Sequence, residues 1–167
     1  AELTTVSLTI NTRSGYTAHS VEDAVQKVIE EGRVEKVSDI YQIRFDGGVI
    51  KETDFSYIRE NMPDLSTLLI KQNADIKFID AHGNESYKVP DKAFFNMKNL
   101  KMVELNEWFT EIGTSAFEGT DKLSNLKLGD VSVIGDNAFA IQPGTGNKMT
   151  TISSSNVKTI GANAFAG

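Results

Sequence analysis

The chain predicts an α/β fold: a right-handed solenoid with short parallel strands, one per coil, closed at its N-terminal end by a strand–helix cap. Three observations lead there. The phrase Ile112-Gly-Thr-Ser-Ala-Phe-Glu-Gly119 returns as Ile134-Gly-Asp-Asn-Ala-Phe139 and as Ile160-Gly-Ala-Asn-Ala-Phe-Ala-Gly167, with a degenerate earlier copy in Val89-Pro-Asp-Lys-Ala-Phe94. A unit recurring every 22 to 26 residues is the mark of a stacked repeat array. Apolar residues also recur at relative positions 1, 4 and 6, in Ile40, Ile43 and Phe45; Leu65, Leu68 and Ile70; Leu100, Val103 and Leu105; Leu123, Leu126 and Leu128; and, worn, Met149, Ile152 and Ser154. The two patterns are locked together. Leu100, Val103 and Leu105 follow Phe94 at +6, +9 and +11, and Leu123, Leu126 and Leu128 follow Phe117 at the same offsets. After Phe139 the offsets become +10, +13 and +15, so four residues are added, and Gln142-Pro-Gly-Thr-Gly-Asn147 has the composition of an inserted loop.

In chain order, residues 3–10 alternate apolar and hydroxyl side chains through Val6, Leu8 and Ile10, the pattern of a half-buried strand. Ser20 with Asp23 has capping-box spacing, and Val21, Ala24, Val25, Val28 and Ile29 fall on one helical face that Gly32 ends. This predicts a helix over 20–31. Residues 54–61 read as a second, short helix with Asp54 as its N-cap and Met62-Pro63 as its stop. The wide interval 73–88 reads as a long excursion with Asp80-Ala-His-Gly-Asn84 at its tip. The last two apolar positions of each 1-4-6 set share one face of a short strand, and the first turns inward where the chain enters it. This is leucine-rich-repeat spacing, one strand per coil. The expected division is a cap over 1–36 and a solenoid over 37–167, irregular through 88 and regular from 89.

Each repeated Leu, Ile and Phe reads as core, because one coil cannot bury these side chains without its neighbours. The glycine after each Ile (Gly113, Gly135, Gly161) sits either at a positive φ or where adjacent coils crowd. The helix over 20–31 would shield the first coil. No cap follows Phe165, so the array is expected to continue past Gly167. The start at Ala1 fits either a removed signal peptide or a cut chain.

The formal charge of −6 disfavours nucleic acid and anionic membrane surfaces as partners. No apolar run approaches the roughly 20 residues of a membrane span. Cysteine is absent, which excludes disulfides, thiolate metal sites and thiol nucleophiles.

The unit Ile-Gly-x-x-Ala-Phe-x-Gly-x-x-x-Leu-x-x-Leu-x-Leu, over residues 89–167, resembles the BspA-like leucine-rich repeats of bacterial surface proteins. Thr53-Asp-Phe-Ser-Tyr-Ile-Arg-Glu60 followed by Leu65-Ser-Thr-Leu-Leu-Ile70 is similar to the first strand-bearing repeats of that family. Met97 and Thr120 stand where the family often has Cys, a departure expected to touch packing and not function. The resemblance implies a secreted or cell-surface protein whose solenoid binds macromolecules in an adhesion-type role.

Candidate chemistry is sparse. His19 has no acidic or Ser partner at useful spacing. Asp80, His82 and Glu85 lie close in sequence, but zinc wants three or four ligands of defined geometry and the EF-hand pattern is missing, so a solvated loop tip is the reading preferred. Gly144-Thr-Gly-Asn-Lys-Met-Thr150 lacks the order and the strand-to-helix context of a phosphate loop. No catalytic residue, metal or cofactor is assigned. What remains is a strip of outward residues between the inward ones: Gln42, Arg44, Thr67, Leu69, Met102, Glu104, Asn125, Lys127, Thr151 and Ser153. Trp108-Phe109, just beyond the third strand, offers an aromatic anchor if one ring faces out. The binding strip is therefore Arg44, Leu69, Met102, Glu104, Trp108 and Lys127, and the expected function is a non-enzymatic module for a protein or glycan partner on the exposed sheet face. The alternative is a structural spacer carrying a functional segment beyond residue 167.

Overall fold

The computed structural model describes residues 6–13, 20–141, 151–154 and 156–167, with the backbone alone at 6 and 151–154. Strand β1 is described over Val6–Asn11; residues 1–5, where the expected alternation begins, lie outside the described part. Helix α1 (Val21–Glu30) agrees closely with the expected span. Ser20 Oγ accepts the Asp23 N–H at 3.0 Å. At the other end Gly32 (φ 74°) lets its own N–H reach Ile29 O and that of Arg33 reach Val28 O, both at 3.0 Å, satisfying the last carbonyls by the left-handed Schellman closure.

Strand β2 (Ile40–Lys51) is 12 residues long, well beyond the short strand expected around Ile43 and Phe45. It pairs in parallel with β1 on one side, Leu8 opposite Ile43, and with β3 (Thr67–Ile70) on the other, Ile43 opposite Leu68. Its last four residues pair with β4 (Ile76–Ile79). The excursion over 73–88 is thus no simple loop: its first half is a strand that buries Ile76 and Phe78, before a turn at 80–84 brings Glu85 back opposite Ile79. Helix α2 (Glu52–Asn61) starts two residues earlier than expected. Asp54 is its third residue and not its cap.

Asp54 holds a structural position instead. It is 3% exposed; its Oδ2 accepts the N–H of Lys51 at 2.8 Å and its Oδ1 that of Val21 at 2.9 Å. One carboxylate therefore serves the first turns of both helices, where free N–H groups and the helix dipole favour an anion. Burial pushes its pKa up, and the two backbone N–H groups and Lys51 pull against that rise.

The remaining strands correct the expectation of one strand per coil. Strands β6 (Met102–Glu104), β8 (Asn125–Gly129) and β10 (Thr151–Ser154) extend the first sheet in the order β1-β2-β3-β6-β8-β10, with β4 attached to β2. Strands β5 (Lys88–Val89), β7 (Glu111–Ile112), β9 (Val133–Ile134) and β11 (Thr159–Ile160) form a second parallel ladder, each opening one copy of the repeated phrase. Each regular repeat therefore carries two strands. Register holds on both ladders: Leu68, Val103, Leu126 and Ile152 are successive partners, as are Val89, Ile112, Ile134 and Ile160.

Between the ladders the repeated Ala-Phe turns stack. The rings of Phe94, Phe117, Phe139 and Phe165 lie 5.1–5.2 Å apart and within 22° of parallel. Backbone bonds run one way along the stack: the N–H groups of Lys92, Phe94 and Asn96 donate to Thr114, Ala116 and Glu118 at 2.7–3.0 Å, and those of Ser115, Phe117 and Gly119 to Asp136, Ala138 and Ala140 at 2.7–2.9 Å. Crowding explains the conserved-looking glycine of the phrase within this chain. None of Gly113, Gly135 and Gly161 has positive φ, and a Cβ on Gly113 would stand 2.7 Å from Val89 O and from Asp91 N. The left-handed residue lies two places on, at Lys92, Ser115, Asn137 and Asn163 (φ 55–57°). Asn, which tolerates that region, fills two of these four. Met97 and Thr120 are buried, Thr120 Oγ donating to Phe117 O at 2.7 Å, so that position belongs to the core as expected.

Candidate binding surface

A parallel sheet in register sets residues of the same parity in rows. One row runs Ser7, Gln42, Thr67, Met102, Asn125, Thr151, and the next Thr9, Arg44, Leu69, Glu104, Lys127, Ser153. Between them the buried Ile43, Leu68, Val103 and Leu126 point into the core. Arg44 and Lys127 are exposed, whereas Leu69, Met102 and Glu104 are half-buried by their neighbours. Five of the six residues singled out from the sequence, Arg44, Leu69, Met102, Glu104 and Lys127, therefore share one surface.

Its charges are mutually compensated. Lys127 Nζ lies 3.7 Å from Glu104 Oε1, while Asp46 Oδ1 lies 3.4 Å from Arg44 Nε and 3.5 Å from Lys71 Nζ. Leu69 sits between Arg44 and Glu104, and Met102 between Thr67 and Asn125, leaving two apolar side chains amid polar ones.

Trp108 lies off the two rows, in the turn from β6 to β7. Of the aromatic pair it is Phe109 that enters the core, fully buried against Phe78 and Phe55 at 5.6 and 6.3 Å. Trp108 remains half-buried; its Nε1–H donates to Ser86 O at 2.9 Å and its ring lies 4.8 Å from that of Tyr87. Tyr87 was invisible as a candidate because the equivalent positions two residues before the later copies are Thr110, Ser132 and Lys158, so no pattern marks an aromatic there. Only the β4–β5 turn brings it to the indole.

Asp80, His82 and Glu85 do not converge. Asp80 Oδ1 accepts the N–H groups of His82 and Asn84 at 2.9 and 3.0 Å, bracing the turn, and Glu85 forms an ion pair with Lys77 at 3.1 Å. Glu85, through that hydrogen bond and then its charge, raises the Lys77 pKa. Among the described residues no group of three His, Asp or Glu side chains is arranged to hold a metal ion. His19 and the loop Gly144-Thr-Gly-Asn-Lys-Met-Thr150 lie outside the described residues.

An open cavity of about 570 Å³ lies on the turn side, bordered by Asn96, Lys98, Glu118, Asp121, Asn137 and Asn163. Its charged groups are already engaged: Lys98 Nζ with Asp121 Oδ2 at 3.1 Å, and Glu118 Oε1 with Ser115 Oγ at 2.9 Å. No described helix is long and apolar enough to cross a membrane.

Comparison with known proteins agrees with this geometry. The family model of the BspA-type leucine-rich repeat region matches residues 70–167 in six copies, more than half of the chain. No curated protein matches it.

Proposed function

The chain belongs to the BspA-type leucine-rich repeat family, and from that premise we propose that it is a non-enzymatic binding module, secreted or displayed at a cell surface, that takes a protein partner on its first sheet. On this reading residues 37–167 form a right-handed solenoid, irregular through 88 and regular from 89, and residues 1–36 cap it. The observation that carries the proposal is the pair of in-register rows crossing six strands. A repeat scaffold binds through such rows because each coil adds side chains at fixed spacing to one continuous surface. Leu69 and Met102 supply the apolar centre, and Arg44, Glu104 and Lys127 supply a polar rim that sets register.

A structural spacer is the second reading, and the compensated pairs Glu104–Lys127 and Arg44–Asp46 favour it, since they need no partner to be satisfied. Combined alanine replacement at Arg44, Leu69, Met102, Glu104 and Lys127 separates the two in the full-length protein. Loss of adhesion or of partner capture, with the fold intact by circular dichroism, is expected if this face binds. Unchanged capture makes the segment a spacer.

A further inference from the structure

We propose that Tyr87 and Trp108 form a stacking platform for the C–H face of a neutral hexopyranose, a site separate from the rows of the first sheet and independent of their role. The two rings stand 4.8 Å apart at 34°. Trp108 has its one polar group bonded internally, through Nε1–H to Ser86 O at 2.9 Å, so the indole acts as apolar backing. Trp108 also packs against the core, whereas Tyr87 is 52% exposed, so the tyrosine ring is the surface an incoming ligand meets. Both are held by backbone on either side. Tyr87 O accepts the N–H groups of Thr110 and Glu111 at 2.8 and 3.2 Å, and Phe109 beside Trp108 is fully buried. A platform ordered before binding loses little conformational entropy when a ligand arrives.

The surroundings select the ligand. Tyr41 and Ile160 are the other exposed large apolar side chains among the described residues, and neither belongs to this segment. The ring is thus an isolated apolar face beside the exposed ion pair of Lys77 and Glu85, 3.1 Å apart, with Glu107 exposed nearby in sequence. The centre of a protein interface needs contiguous apolar area sealed by a rim, which one ring does not supply. A hexopyranose carries both kinds of surface. Its C–H groups pack on the electron-rich face of an aromatic ring, and its hydroxyls donate to a carboxylate or accept from an ammonium without leaving a charge unpaired. Because Lys77 is already neutralised by Glu85 and the chain is acidic overall, a neutral sugar fits better than an anionic one.

Trp108 is the single tryptophan of the chain, so its fluorescence reports on this site alone. The folded protein is titrated with maltotriose, cellotriose and mannotriose to about 20 mM, and Trp108 emission is followed. A saturable shift with at least one of them is expected, with a Kd on the order of 1 mM, the weak affinity of a small contact. Tyr87→Ala is expected to weaken binding by about tenfold or more, whereas Tyr87→Phe, which keeps the ring, stays within about threefold. Leu69→Ser, on the first sheet, leaves the titration unchanged. No shift with any of the three sugars overturns the proposal, as does undiminished binding by folded Tyr87→Ala. A shift caused by a proline-rich peptide and by none of the sugars overturns it as well.

Discussion

The two halves of the molecule bury the same kind of side chain in two different ways. From Val89 onward, Phe94, Phe117, Phe139 and Phe165 occupy equivalent positions and stack nearly parallel at 5.1–5.2 Å. Phe45, Phe55 and Phe78, which precede Val89, instead meet Phe109 of the β6–β7 turn in a cluster, at 5.2–6.3 Å and at angles from 17° to 81°. Phe55 joins the two arrangements, since it also touches Phe94 at 4.9 Å. Helix α2, which carries Phe55, stands where a regular repeat has its Ala-Phe turn. The numbering agrees: Leu65, Leu68 and Ile70 follow Phe55 at +10, +13 and +15, the offsets that Met149, Ile152 and Ser154 show after Phe139. The first half is therefore a repeat with its turn rebuilt as a helix. What the stack requires is a ring at a fixed place, and more than one local backbone supplies it.

This comparison is best broken at Phe55. Phe55→Ala removes a ring that touches Phe45, Phe78, Phe94 and Phe109. It is expected to cost about 4–5 kcal/mol, the upper part of the range for a buried aromatic. It should also split urea unfolding into two transitions, with probes in α1 melting before Trp108. Phe117→Ala, inside the regular stack, should cost about 3–4 kcal/mol and keep one transition.

Asp54 gives the next effect, because it ties α1 to α2. Asp54→Ala removes the acceptor of the buried Val21 N–H and of the partly buried Lys51 N–H, and is expected to lower stability by about 2–3 kcal/mol in urea. Its pH dependence has a definite sign. Burial raises the pKa in the folded state, so its contribution to stability is greatest below the ordinary carboxylate pKa and is lost as pH rises through the folded value. The stability difference between the natural protein and Asp54→Asn should therefore narrow as pH rises from below the ordinary carboxylate pKa through the raised folded value.

In the regular half, Gly135→Ala tests crowding between repeats. A Cβ there would stand 2.8 Å from Gly113 C and Thr114 N, and a loss of about 1–3 kcal/mol is expected. Ser115→Asn should do the opposite by a smaller amount, since Ser115 holds φ 57° where Asn is tolerated better; a gain of up to about 1 kcal/mol in thermal unfolding is expected after the loss of its bond to Glu118. Smallest is Leu69→Ser on the half-buried row, with a stability change of about 0.5 kcal/mol or less. An effect there on partner capture without one on stability would mark the row as functional.

Much of this was legible in the chain. The offsets from each Phe placed β6, β8 and β10, and the parity of those strands placed Arg44, Leu69, Met102, Glu104 and Lys127 on one face. Helix α1 was readable because Ser20, its apolar face and Gly32 are local signals. The second ladder was missed. Val89, Ile112, Ile134 and Ile160 lie in two-residue strands whose pairing exists only between repeats, too short for any alternation to appear. Strand β4 was missed for a related reason: Ile76 and Phe78 become a strand by pairing with the far end of β2. Asp54 was read as a local cap, yet half of its bonding is to Val21, 33 positions away.

By itself, then, the sequence determined the period, the family and the core positions of the repeats, except Ile160, which is 57% exposed. These follow from spacing along the chain, and spacing is what a stacked repeat converts into burial. The tertiary structure alone decided which backbone fills each turn, that Asp54 holds two helix starts together, and that Phe109 goes inward while Trp108 meets Tyr87 at the surface. Those outcomes depend on pairs of residues distant in the chain, and their free energies come from contacts that no single stretch contains.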